Sequence, residues 1–158
     1  MGRVREAAER SAEGGLAGTG RLARETPPPA VRLGKIVETG IAPSMYGLLE
    51  HGVGRRPEVA RSMRGKVVLR FSEAFAPVRM TFAARSITVE DGDFRNPDLA
   101  IGGSLPDIVH FATAPHLRGV PNPARVRGRA ALARVARRHV RVTGDRALAR
   151  KLLRLLSL

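Results

Sequence analysis

A chain of 158 residues, 43% hydrophobic and 27% charged, has the composition of one ordinary globular domain and is long enough to bury a core. It contains no cysteine, which excludes disulfides, thiolate metal sites and cysteine nucleophiles; with five Phe, one Tyr and no Trp, aliphatic side chains must fill the interior. The formal net charge of +14 is concentrated at one end: residues 118–158 hold 12 basic side chains against Asp145 alone, and 25 of the 28 basic residues are arginine.

The opening residues carry no apolar run of a secretory signal, and no stretch approaches the roughly 18 apolar residues of a membrane span. These features point to a cytoplasmic protein. Residues 1–30 mix Glu, Arg, Gly and Ala and close on Thr26-Pro27-Pro28-Pro29. Such a segment buries too little apolar surface to offset its ordering entropy. It is expected to form a flexible leader, or else a partner-binding arm, with residues 31–158 as the folded domain.

From Val31 to Arg64 the texture is helical, broken at Gly40 and Pro43, with Gly52-Val53-Gly54 ending one segment and Pro57 in the first turn of the next. A β region follows. Lys66–Phe71 alternates Val67, Leu69 and Phe71 against Val68, Arg70 and Ser72, and Pro77–Ala84 places Val78, Met80 and Phe82 on one face. A period of two with one polar face marks a half-buried antiparallel sheet. Ser86–Glu90 is the next strand, and Asp91-Gly92 reads as a two-residue hairpin turn, which also accounts for the acidic cluster Glu90, Asp91, Asp93 and Asp98. Asp98–Gly102 is the fourth strand.

Ser104-Leu-Pro-Asp107 has the form of a helix start, with Ser as N-cap and Pro in the first turn. The helix it opens carries Leu105, Ile108, Phe111 and Ala112 on one face. Pro115–Pro123 reads as a loop, Ala124–Arg137 as a helix and Val140–Val142 as a last strand. Gly144-Asp145 then starts an amphipathic helix with Leu148, Leu152, Leu155 and Leu156 on one side and Arg146, Arg150 and Arg154 on the other. The expected class is α+β, a mainly antiparallel five-stranded sheet with helices over one face.

Catalytic signatures are missing from this pattern. His51, His110, His116 and His139 have no metal-ligand spacing and read as exposed or capped residues, and neither a nucleophile elbow nor a phosphate loop occurs. Gly102-Gly103-Ser104 is a strand-to-helix turn. No enzyme activity, metal or cofactor is expected.

The run Pro97-Asp-Leu-Ala-Ile-Gly-Gly-Ser-Leu-Pro-Asp-Ile-Val-His-Phe111 resembles the centre of sterol carrier protein type-two domains, in which an Asp opens a strand and a capped helix follows at once. The end, from His139 through Gly144-Asp145 to Leu156, is similar to that family's closing strand, Gly and amphipathic helix. The likeness spans roughly residues 33–156. Most members carry a Gly before the last strand, where this chain has Arg137-Arg138; with Gly144-Asp145, that pair is similar to the branch assisting bacterial ubiquinone biosynthesis. The loop Ala114–Pro123 is also longer than in the short animal carriers.

The resemblance implies a curved five-stranded sheet and helices enclosing an apolar tunnel for a lipid of fatty acyl, sterol-like or prenyl-quinone type. Such a site needs apolar walls around roughly 300–1,000 Å³. Phe71, Met80 and Phe82 from the sheet, Ile108 and Phe111 from the middle helix, and Leu152 and Leu156 from the last are the expected lining. The alternative is that these side chains pack as a dry core and the domain is a scaffold. Arg146, Arg150 and Arg154 are expected to touch anionic membrane. A nucleic-acid partner competes for the same charge, although Arg118–Arg154 contains no aromatic stacking residue. Oligomeric state is not legible in the sequence.

Overall fold

The computed structural model describes residues 26–117 and 119–157. Its elements, in chain order, begin with β1 (Ala30–Leu33), α1 (Ala42–Arg55), α2 (Pro57–Arg61), β2 (Gly65–Phe71), β3 (Val78–Phe82) and β4 (Ser86–Asp91). They continue with β5 (Leu99–Gly103), α3 (Leu105–Thr113), β6 (His116–Leu117), β7 (Val120–Pro121), α4 (Val126–Ala136), β8 (Val140–Gly144) and α5 (Arg146–Leu156). The main sheet has six strands in the order β1-β4-β3-β2-β5-β8, one more than expected. The β2-β3, β3-β4 and β5-β8 pairs are antiparallel, whereas β1-β4 and β2-β5 are parallel. The class is α+β, as expected.

The additional strand comes from a segment expected to be helical. Ala30–Leu33 lies beside β4, with Ala30 N–H donating to the Arg85 carbonyl and Gly34 N–H to that of Val89. Four residues are too few for a period of two to outweigh the apolar spacing that follows. Residues 1–25 of the expected leader lie outside the described residues; Pro29, inside its span, is already buried. Helix α1 begins at Ala42 with Pro43 in its first turn, so Pro43 starts the helix rather than breaking it, and the helix runs through Gly52 and Gly54 to Arg55.

Strand alternation is realised nearly as read. Val67, Leu69, Val78, Met80, Phe82, Leu99 and Ile101 are buried in one cluster with α1, α3 and α5. Val68 is a correction: expected on the polar face, it is fully buried.

The segment from Gly92 to Asp98 suggests why. Asp91-Gly92 does not make a hairpin, because β5 pairs with β2 and not with β4. The chain instead crosses to the far side of β2, since parallel neighbours require a crossover. On the way Phe94 meets the Lys66 ammonium at 5.7 Å and the Arg79 guanidinium at 5.5 Å, and Asp93 takes both ends of the Arg70 fork at 2.9 Å. By register and strand alternation Lys66, Val68, Arg70 and Arg79 share that outer face.

Asp91 has a different task. Its buried carboxylate accepts from Val37 N–H and Ala42 N–H, each at 3.0 Å. Ala42 is the first residue of α1, whose N-cap Ile41 has no capping side chain. Asp91 therefore caps α1 from a neighbouring strand.

Candidate functional site

The other helix starts follow from local sequence. Ser104 Oγ accepts from Asp107 N–H at 3.2 Å and donates to Asp107 Oδ2 at 2.8 Å, fixing the first turn of α3. Asp107 also accepts from Arg134 Nε at 2.8 Å, tying α3 to α4. The Ser104 hydroxyl, then the Arg134 guanidinium, hold its carboxyl below the usual carboxylate range. Asp145 Oδ1 accepts from Ala147 and Leu148 N–H and starts α5.

These starts aim three helices at one patch of sheet. Between α1, α3, α5 and strands β2 and β5 lies a pocket lined by apolar side chains and Thr113. Of the side chains expected there, Phe71, Ile108, Phe111, Leu152 and Leu156 line it. Met80 and Phe82 do not. They are buried on β3, on the half of the sheet beside β4, which α1 covers, whereas α3 and α5 cover β5. Strand phase chose the right face but carried no information on where each helix docks.

Sequence reasoning missed Met45 and Leu48 from α1, Leu69 and Ile101 from the sheet, and Leu105, Val109 and Leu153 from the helices. Leu69 and Ile101 share the phase of the chosen residues, so that signal was present. The open space in the pocket is about 30 Å³. That is room for a water molecule or two, far below the roughly 300–1,000 Å³ of a ligand cavity. The expected tunnel is closed here because Ile108, Phe111, Leu152 and Leu156 fill the gap between the helices and the sheet.

The rim is partly wet. Val109 on α3 is 45% exposed, and Phe75 packs edge-on against Phe71 with ring centroids 6.2 Å apart. The loop expected over Pro115–Pro123 contains the short β6-β7 hairpin. Its turn residue Gly119 has φ +79°, and a Cβ there would come within 2.6 Å of the Arg150 carbonyl. The hairpin is thus pressed onto α5, with Leu117 and Val120 exposed beside it.

His116 is a further correction. It was expected to be exposed or capped, yet both ring nitrogens are buried and neither has a hydrogen bond of good geometry among the described residues. Burial pushes its pKa down, the Arg56 charge adds to that, and a weak approach to the Ala114 backbone opposes both.

Arg146, Arg150 and Arg154 are exposed along one side of α5, opposite buried Leu148, Leu152 and Leu155. On α4, Arg127 and Arg129 border the same basic quarter and are exposed, as are the N-cap Arg125 and the C-cap Arg137. A separate open groove of about 300 Å³ between α3 and α4 is lined by Asp107, Arg134, Arg137 and His139. Among the described residues no group of three His, Cys, Asp or Glu side chains could hold a metal, and no helix is long and apolar enough to cross a membrane.

No protein-family model matches the sequence, and no curated protein matches it. Solved structures do match. The SCP2 domain of UbiJ, a ubiquinone synthesis protein, is similar over 73% of this chain and 87% of its own, with a TM-score of 0.52 at 15% identity. The sterol carrier protein domain 2 of Helicoverpa armigera is similar over 72% of this chain and 83% of its own, with a TM-score of 0.50 at 17% identity. At these identities the likeness lies in the arrangement of strands and helices, and the fold of this chain is that of the sterol carrier protein type-two domains.

Proposed function

We infer that this chain binds and carries an apolar lipid in the pocket between β2, β5 and helices α1, α3 and α5. One observation carries the reading: where sheet and helices converge, the surface facing the pocket is apolar, the hydroxyl of the lining residue Thr113 being spent on the Val109 carbonyl. The fold shared with sterol carrier domains supports it. A pocket of about 30 Å³ admits an alkyl chain only if a helix moves. Helix α3 is suited to that motion. It is nine residues long and is tied at its start by Ser104, Glu73 and Arg134, while Val109 and Thr113 remain partly exposed.

Delivery is assigned to the Arg146, Arg150 and Arg154 stripe. Each basic residue near an anionic bilayer contributes about 1 kcal/mol. The exposed Leu117 and Val120 beside Arg150 would enter the headgroup layer. The test of carriage is native mass spectrometry of the purified protein with extraction of bound lipid, followed by titration with fluorescent fatty acyl, sterol and prenyl probes. A protein that takes up none of them has a packed core and acts as a scaffold.

A second reading, nucleic-acid binding, is favoured by the exposed arginines along α4 and its N-cap. Competition at matched ionic strength separates the two: anionic vesicles should displace nucleic acid, and not the reverse.

A further inference from the structure

We propose that the open border of β8, with helix α4 beside it, is a docking groove for an acidic, extended segment of a partner protein, which joins the main sheet as a further strand. The groove shares no lining residue with the apolar pocket, so the proposal stands apart from the lipid-carrier reading.

The first observation is a set of unused ladder groups. Strand β8 is last in the strand order and pairs with β5 alone. Asp145 N–H donates to the Asp98 carbonyl at 2.8 Å, which sets the phase of this antiparallel ladder. In that phase Thr143 and Arg141 exchange bonds with Ala100 and Gly102, while the N–H and carbonyl groups of Val140 and Val142 point away from β5. Those groups meet no other backbone among the described residues. The second observation is a shape that fits a strand. An open groove of about 380 Å³ follows this border, lined by Val135 of α4 and by Arg138, Val140, Arg141, Val142 and Thr143. Val140 is buried, and Val135 and Val142 pack against the core, so the helix side of the groove is apolar.

The third observation is charge. Arg138 and Arg141 are exposed, and neither meets a carboxylate among the described residues. Arg138 has φ +60°, a left-handed backbone that glycine adopts freely and arginine only at a cost. Strained residues of this kind gather at binding sites. Two guanidinium groups without an internal partner select an acidic occupant. The open ladder selects a polypeptide over a nucleic-acid strand, which has no series of N–H and carbonyl groups to match it. A second copy of this chain would set the same arginines against each other. Strand alternation then fixes the pattern of the segment. Side chains opposite Val140 and Val142 face Val135 and are apolar, while the one opposite Arg141 lies on the outer side of the sheet and is acidic.

The experiment uses the full chain, its amides labelled with nitrogen-15, and a peptide of alternating Glu and Val, about eight residues long and blocked at both ends. The expected result is amide shifts confined to β8 and the end of α4, with the Val140 and Val142 amides slowed in exchange with water. In antiparallel pairing the valine nitrogens of the peptide face β8. Methylating them should abolish binding, whereas methylating the glutamate nitrogens should not. Arg138→Gly relieves the backbone strain, so it should keep or raise the melting temperature while weakening the peptide about fivefold, and Arg141→Gln should weaken it as much. A peptide with Lys in place of every Glu should not bind. Shifts confined to the arginines of α5, affinity unchanged in both variants, or equal tolerance of the two methylated peptides overturns the proposal, as does a failure of the parent peptide to bind. An oligonucleotide that moves the Val140 and Val142 amides more than the peptide does, or a dimer of this chain that the peptide dissolves, assigns the groove to another occupant and overturns it as well.

Discussion

Replacing Asp91 by alanine removes the cap of α1 and two of the bonds that hold the 34–42 connection to the sheet. Val37 and Ala42 each donate a backbone N–H to this carboxylate at 3.0 Å, and Ala42 is fully buried. A hydrogen bond to a charged group is worth about 1.5–3 kcal/mol, and a buried N–H left without a partner keeps most of that cost. Two such bonds place the loss for Asp91→Ala at about 3–5 kcal/mol, a large part of the roughly 5–15 kcal/mol available to a domain. Asp91→Asn retains one acceptor oxygen and should lose about half as much. In urea, with a slope of about 2 kcal/mol per molar, the alanine variant should unfold about 2 M earlier at unchanged slope. Gly40 offers an independent check, since a Cβ there would collide with the Asp91 carboxylate. Gly40→Ala attacks the same contact from the other side, so the double variant should be little worse than the worse single one. A loss below about 1 kcal/mol for Asp91→Ala, or additive losses, would refute the capping role.

Converting Arg146, Arg150 and Arg154 together to Gln should cut co-sedimentation with anionic vesicles while leaving the melting temperature within a few degrees, because all three side chains are exposed. Burial lowers the His116 pKa in the folded chain, so the unfolded chain holds more protons just below about pH 6.5 and stability should fall as pH drops through that window. The His116→Phe variant should lack this component in pH-dependent melts, whereas losses through Asp107 and Asp93, whose folded pKa values are also lowered, belong to the carboxylate range further down. Deleting residues 1–30 should destabilise the domain more than deleting 1–25, since Pro29 is buried, Ala30 pairs with Arg85 and Arg61 donates to the Thr26 and Pro27 carbonyls. Equal chemical melts of the two truncations would contradict that packing.

Features written into neighbouring residues were legible. The alternation through Val67, Leu69, Val78 and Met80 specifies a sheet face wherever the chain lies, and the first turn of α3 is a contact between residues three apart. Features that depend on distant partners were not. Asp91-Gly92 carries the local signal of a hairpin, but Asp91 is engaged by residues 49 and 54 positions away. Val68 was assigned to solvent because alternation assumes that the polar face stays bare, whereas here the β4-β5 connection lays Phe94 over that face. The candidate pocket was legible in the same proportion. Helix faces predicted Ile108, Phe111, Leu152 and Leu156, while the exclusion of Met80 and Phe82 depends on which half of the sheet each helix covers. His116 had no sequence signal at all, because a lone imidazole in a loop acquires its environment only when the hairpin folds against Phe111.

The ends of the strand order, β1 and β8, bear on how such a domain avoids sticking to its own kind. Each has one side unpaired within the sheet, the usual template for another chain. β1 is four residues long, is entered through three prolines without N–H groups, and carries exposed Arg32. β8 carries exposed Arg141 and ends at Gly144, whose φ of +104° turns the chain out of the ladder. Neither border offers a long, flat, uncharged strip. Under the proposed carrier function the helices part to admit an alkyl chain and bare apolar surface each time, and short borders studded with arginine would let the domain open without recruiting a second copy into a growing sheet.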